Sequence, residues 1–356
     1  MLRKPLLFLL VLTGCAGNPT KSADPNAKTL VRAAFDIGSG ATKMKVGRVT
    51  TSGKDISVEI LWPPPNNNGE SKVAYQDDLR ASGKAEKLSD AIIEKGIAEL
   101  KGLKALAEPF GATEYVGVAT SAFRKAKNGP DALTKIAKET GIVLRLITQE
   151  EEGALGFWGA VGVSGADAAK TVVWDIGGGS QQITTLDEAG SIISSNNNVG
   201  SDILKEKVRT LQKRKKGLSV NPVGKVAAKK GLVFVRKEAK STTAAIRNKV
   251  TNPETRVLGI GGVHSISVKD QAMTPEDKYY DQGMVKKALE ASWDLKDEKV
   301  GTRFVENQIP NLMLVLGYME ELGITEVTPF KVNLADGLLR YSAETKPTVP
   351  VSPQPK

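Results

Sequence analysis

The tripeptide Asp-Ile-Gly occurs twice, at Asp36 and at Asp175, each time in the same setting. In LVRAAFDIGSGATKMKVGRV (30–49) and TVVWDIGGGSQQITTL (171–186), an apolar run ends on the aspartate, glycines follow, and alternation resumes. That is the pattern of a strand, a tight bend and a returning strand. Glycines at such a bend let backbone N–H groups approach an anion closely, because no Cβ intervenes. The hydroxyls of Ser39 and Ser180 add donors, and an aspartate at a strand end can hold Mg²⁺ bridging phosphate oxygens. One glycine bend is compatible with a plain hairpin. Two, facing each other across a cleft, would grip a chain of phosphates from both sides.

Composition narrows the chemistry. The chain has 356 residues, 40% hydrophobic and 25% charged, which suits two globular domains of ordinary size. It contains one Cys and one His. That excludes disulfides, a Cys/His zinc site, and any Ser-His-Asp hydrolase not resting on His264. The formal charge of +10 points to an anionic partner, and it is concentrated: Lys205 to Lys240 holds thirteen Lys or Arg against two Glu. Such a run reads as a solvated helical face, with QKRKKG as a disordered loop, or as a polyanion track leading from the cleft. Nucleic acid is the weaker partner, since only Phe234 is present to stack on bases.

The amino terminus, MLRKPLLFLLVLTGC, places two basic residues before an apolar run too short to span a bilayer, the pattern of a secretion signal. Leu12-Thr13-Gly14-Cys15 resembles the bacterial lipobox. The reading is therefore a signal peptide over 1–14, a lipid on Cys15, and a polar tether over 15–28. Each buried acyl methylene contributes ~0.8 kcal/mol, enough in several chains to hold a protein at a membrane. The expected location is the cell envelope, and Ala16 after the cysteine leans towards the outer membrane.

Periodicity predicts two α/β units, 29–165 and 166–342, and a disordered Pro/Thr/Ser-rich tail over 343–356. ISVEILW reads as a third strand, Leu88–Leu106 as a helix, and 112–129 as a strand running into a loop and helix. A helix, a glycine stop and a strand fill 130–148. After the second hairpin come a strand and basic helix (191–208), a strand with its own glycine turn (255–268) and a core helix (308–322).

Six stretches, FDIGSGATKMKVG, GVATSAFRKAKNG, ITQEEEGALGFWGAV, VVWDIGGGSQQIT, VLGIGGVHSISV and VNLADGLLR, resemble in that order the blocks of the exopolyphosphatase/guanosine pentaphosphate phosphatase family. The resemblance implies two ribonuclease-H-like domains of the actin-like ATPase fold, with an interdomain cleft. It assigns Asp36 and Asp175 to Mg²⁺, and Gly38, Ser39, Gly177, Gly178, Gly179, Ser180, Gly261 and Gly262 to phosphate. Arg124 would neutralise phosphate charge, and Glu152 would act as the base on the attacking water. Thr120 and Ser121 serve equally as hydroxyl donors or as a helix cap, while Glu150 and Glu151 complement a helix dipole. His264 receives no catalytic role.

The pattern also departs from the family. Gly40-Ala41 stands where Asn-Ser is usual, Gln181-Gln182 where Thr-Glu is usual, and Val263 where Thr or Ser is common. The implied activity is release of terminal phosphate from inorganic polyphosphate or guanosine pentaphosphate. The alternative is a non-hydrolysing polyphosphate or nucleotide receptor of the same fold. A homodimer is a further expectation from relatives.

Overall fold

The computed structural model describes residues 26–340 except 54, 65, 66, 68, 302 and 303. Cys15, the signal segment 1–14, most of the tether 15–28 and the tail 343–356 lie outside the described residues. In the first lobe, β1 (Lys28–Ile37), β2 (Thr42–Ser52) and β3 (Asp55–Trp62) form a meander, with β4 (Glu70–Ser71) on β2. There follow α1 (Tyr75–Ala81), α2 (Asp90–Ala107), β5 (Glu114–Ala119), α3 (Ser121–Lys125), α4 (Gly129–Thr140) and β6 (Val143–Leu146). Helix α5 (Gln149–Ser164) then leads to the second lobe.

There β7 (Thr171–Ile176), β8 (Gln181–Leu186) and β9 (Ile192–Asn197) repeat the meander. After it come α6 (Ser201–Leu211), α7 (Lys225–Ala239), α8 (Ala244–Val250) and β10 (Arg256–Ile260). A π-helical turn, Val263–Val268, runs into α9 (Lys269–Ala272). The lobe closes with β11 (Tyr280–Asp281), α10 (Gln282–Ser292), α11 (Asp297–Val300), α12 (Val305–Leu322) and β12 (Glu326–Pro329). The last element is α13 (Leu334–Arg340).

Strand order is β3-β2-β1-β5-β6 in one sheet and β11-β12-β10-β7-β8-β9 in the other. In each, the hairpin strands pair antiparallel and the next two strands join in parallel through helical crossovers. The lobes are thus structural copies. Register makes the correspondence residue by residue: Asp36 pairs with Lys43, and Asp175 with Gln182. The bends match as well, Gly38 N–H donating to the Ala41 carbonyl and Gly177 N–H to that of Ser180, both at 3.0 Å.

Each lobe buries its own core. Phe35, Met44, Tyr75, Leu100 and Phe123 fill the first, while Trp174, Ile183, Leu204, Met313 and Tyr318 fill the second. Gln181, a departure from the family pattern, has a structural task here: its Oε1 accepts the buried Trp174 indole N–H at 2.9 Å, and its amide donates to the Val199 carbonyl at 2.8 Å. His264 is fully buried, its ring edge-on to Trp174 at 4.7 Å and its Nδ1 paired with the Tyr280 hydroxyl.

The final helix crosses back. The unit expected over 166–342 ends in space on the first lobe, because α13 packs Ala335, Leu338 and Leu339 with Ala34, Val49 and Val118. Lys45 Nζ reaches both oxygens of buried Asp336, at 2.6 and 2.7 Å, and Arg32 Nη1 donates to the Leu338 carbonyl at 2.8 Å. Helices α5 and α13 touch backbone to backbone: a Cβ on Gly337 would lie 2.2 Å from the Leu155 carbonyl oxygen. A main-chain atom cannot swing away. Gly337→Ala is therefore expected to destabilise the protein by about 1–3 kcal/mol, read as a lower midpoint in thermal unfolding.

Candidate active site

The two bends meet. Asp36, Ser39, Asp175, Ser180 and Glu152 line one cleft between the lobes. Gly38, Gly177, Gly178, Gly179, Gly261 and Gly262 line it too. Gly38 and Gly177 spend their amides closing the bends. The amides left for an anion include those of Ser39, Gly40, Gly178 and Gly179, none of which donates a hydrogen bond among the described residues. The carbonyls of Gly177 and Gly178 accept from Ser201 and Asp202 N–H at the start of α6, at 3.0 and 2.9 Å, which fixes the loop.

Close approach explains the glycines. A Cβ on Gly179 would lie 2.7 Å from Ser121 Oγ across the cleft, and one on Gly178 would lie 2.6 Å from Asp202 Oδ2. Gly261 has φ +79° and an implied Cβ 2.7 Å from Asp175 Oδ1, so both its conformation and its space require glycine. The glycine turn expected here leads from strand β10 into the π-helical turn and not into a hairpin.

Glu152 sits in the first turn of α5, which Thr148 and Glu151 start with a reciprocal capping box. That accounts for Glu151, while Glu150 Oε1 accepts from Asn196 at 2.8 Å. Glu152 is buried, and burial pushes its carboxyl above the ordinary range, against the opposing pull of Arg124. Arg124, expected on the phosphate, is placed behind the carboxylate. Its Nη2 lies 2.8 Å from Glu152 Oε2, its Nη1 donates to the Ile147 carbonyl at 2.9 Å, and it does not line the cleft. A buried acid recruits the nearest guanidinium as its counter-charge. Neighbouring Lys125 instead crosses the cleft to the Gly179 carbonyl at 3.1 Å.

Asp175 is pushed up to about 7, first by burial, then by the charges of Glu152 and Asp36, with Lys43 opposing. Lys43 lies 3.5 Å from Asp36 Oδ2; burial pulls its pKa down, but Asp36, Asp175 and Glu70 outweigh that and raise it. Sequence reasoning missed this lysine, although counting across the four-residue bend from Asp36 lands on it. Gln182, its counterpart, is buried outside the cleft lining.

Among the described residues, no group of three or more His, Cys, Asp or Glu is arranged to hold a metal ion by itself. Asp36 and Asp175 offer one carboxylate each, and burial first, then the neighbouring acids, raise the pKa of Asp175. Two carboxylates suit a hard cation that completes its shell with water and phosphate oxygens, the usual preference of Mg²⁺.

A second wall of the cleft is uncharged but for one acid. Asn307 Nδ2 donates to Ser201 Oγ (2.8 Å) and Asp202 Oδ1 (2.9 Å), Ser201 Oγ donates to Asn311 Oδ1 (2.6 Å), and Asn311 Nδ2 donates to Ser267 Oγ (3.0 Å). These residues come from the starts of α6 and α12, more than a hundred positions apart, and, for Ser267, from the π-helical turn between them in the chain. No local pattern announces them.

Residues 70–218 match the model of the Ppx/GppA phosphatase family. Asp36 and Gly261 lie outside that Ppx/GppA match, and the fold is what brings them to it. Exopolyphosphatase 1 of Mycobacterium tuberculosis is 31% identical over 162 residues, 45% of this chain and 44% of that protein. The chain spans less than half the length of the curated relatives it matches. The crystal structure of the Aquifex aeolicus Ppx/GppA family member superposes with a TM-score of 0.65 at 21% identity, covering 88% of this chain and 97% of that one. An exopolyphosphatase from Cytophaga hutchinsonii gives 0.65 at 14% identity, covering 87% and 96%. The fold is the two-domain, actin-like α/β fold of Ppx/GppA structures.

Proposed function

We propose that this chain is a metal-assisted phosphohydrolase that removes terminal phosphate from inorganic polyphosphate or guanosine pentaphosphate. The observation that carries the reading is the convergence of Asp36, Asp175 and buried Glu152 on one cleft. The amides of Ser39, Gly178 and Gly179, with the hydroxyls of Ser39, Ser121 and Ser180, hold phosphoryl oxygens. Asp36 and Asp175 would hold Mg²⁺, which when bound supplies charge neutralisation on the phosphates. Glu152, its basicity raised by burial, accepts the proton of the attacking water. Arg124 acts on Glu152 and not on the substrate.

The polar wall favours the nucleotide over the bare chain. Asp36, Glu70, Glu152, Asp175 and Asp202 line the cleft with Lys43, the one cation among its described lining residues, while Lys125 reaches across to the Gly179 carbonyl. The one carboxylate of this wall disfavours phosphate, while its amides and hydroxyls can donate to and accept from the hydroxyl and amide groups of a nucleoside. Asn307→Ala is expected to lower kcat/KM for guanosine pentaphosphate about tenfold and to leave that for polyphosphate within a factor of two or so.

The deciding experiment supplies Mg²⁺ with each substrate and measures released phosphate beside equilibrium binding. Turnover supports the enzyme, whereas tight binding without release supports the receptor. Because Arg124 lowers the pKa of Glu152, Arg124→Ala is expected to move the acidic limb of the pH–rate profile to higher pH. An unmoved limb would uncouple the two residues. Lipidation at Cys15 and a cell-envelope location belong to the same proposal, and a Cys15→Ser variant that still fractionates with membranes through an acyl chain would remove them.

A further inference from the structure

Packing sets two groups apart among the basic residues of 205–240. Arg209 is bound by Glu206 and Glu306, Arg236 by Glu320, and Arg214 by the carbonyls of Ser219, Asn221 and Pro222. These hold the lobe together, and Arg214 orders the loop that the composition alone left open. No residue of 205–240 lines the cleft itself, so the alternative of a polyanion track draws no support from the cleft lining.

The second group lies on α7. At 100° per residue, Val226, Lys229, Lys230, Val233, Lys237 and Lys240 fall within about 100° of arc. All six face solvent, with Val226 70% and Val233 64% exposed. None of the four lysines makes an ion pair among the described residues. The acid of this helix, Glu238, lies off the stripe and accepts from Asn197 at 3.4 Å. Beside the stripe runs a groove of about 1230 Å³ between α7 and α10. Lys225, Lys229, Arg236 and Lys286 rim it together with Glu290 and with Glu320, which pairs with Arg236, over an apolar floor that includes Leu232 and Leu289. Trp293 stands at its side, with Lys225 Nζ 5.8 Å from the ring centroid.

We infer that the outer face of α7 and its groove form a docking surface for an anionic phospholipid bilayer. The charge selects an anionic partner, and the two valines set among lysines select one with an apolar layer behind its charges. A soluble polyanion would leave Val226 and Val233 in water. A bilayer interface takes phosphate at the lysines and buries the valines beneath them, the pattern of an interfacial amphipathic helix. The face shares no lining residue with the cleft, so it binds with the cleft open. A single acyl chain anchors weakly and a basic patch is a common second signal, so the surface complements the lipid expected on Cys15 but does not depend on it.

The test uses the full chain carrying Cys15→Ser, so that no acyl chain contributes, floated with vesicles of phosphatidylcholine alone and with vesicles containing added phosphatidylglycerol. The readout is the increment due to phosphatidylglycerol, because the apolar amino-terminal segment contributes to both. That increment is expected to be lost at high salt and to fall at least ~tenfold in Lys229→Gln/Lys230→Gln/Lys237→Gln/Lys240→Gln. In Val226→Ser/Val233→Ser it is expected to fall while keeping its salt dependence. Thermal unfolding confirms that both variants remain folded. Equal flotation with both vesicle types, or an unchanged increment in the lysine variant, overturns the proposal. So does capture of soluble inorganic polyphosphate through these lysines without any gain from phosphatidylglycerol.

Discussion

Glu152→Gln is expected to lower the rate of phosphate release by about 10²–10⁴-fold while substrate binding persists. The substitution keeps shape and removes the charge that makes Glu152 a base. It also releases Arg124, whose Nη2 lies 2.8 Å from the carboxylate, so the site becomes more positive and binding is expected to tighten. The paired outcome separates catalysis from folding: a misfolded variant would lose both. Measured turnover within about tenfold of the parent would assign the base elsewhere. Within this cleft, Asp175 would be the remaining acid with a strongly raised pKa, pushed up to about 7.

Acid should destabilise the protein through its sole histidine. Burial lowers the His264 pKa from 6.5 to about 3, so the folded state holds it neutral. Below pH 6.5 the unfolded chain takes up a proton that the folded chain refuses, which favours unfolding as pH falls. The contribution is fully present above the unfolded pKa and is lost progressively towards the folded one. Between pH 7 and pH 4 the loss is about 3 kcal/mol. His264→Gln should lower stability at pH 7, because the ring packs on Trp174 at 4.7 Å, yet it should flatten this part of the pH dependence. Denaturant unfolding of both proteins at several pH values reads the difference, in which the carboxylates common to both cancel. Equal slopes would place His264 in contact with solvent.

The hairpins were legible because their information is local. An apolar strand ending in Asp-Ile-Gly closes on itself within eight residues, and the register that sets Asp36 opposite Lys43 follows from counting. Helix α5 was equally readable, and its position brought Glu152 to the cleft. The family resemblance assigns Arg124 to phosphate, and its motif lies on a different element from Glu152. Which anion it meets depends on how α3 and α5 pack. The basic segment was read as one run, yet packing divides it: Arg209, Arg214 and Arg236 turn inward while Lys229, Lys230, Lys237 and Lys240 remain outside.

What the amino-acid sequence decided unaided is the duplicated strand–bend–strand, the two aspartates at its tips and the exclusion of disulfides and of a Cys/His zinc site. These rest on backbone preferences and residue counts, which need no distant partner. Tertiary structure alone decided that both tips share one cleft, that Arg124 serves Glu152, that Ser201, Asn307 and Asn311 build a common wall, and that α13 returns to the first lobe. Each of those joins residues far apart in the chain, and a buried charge or donor takes whichever partner the folded core brings within reach.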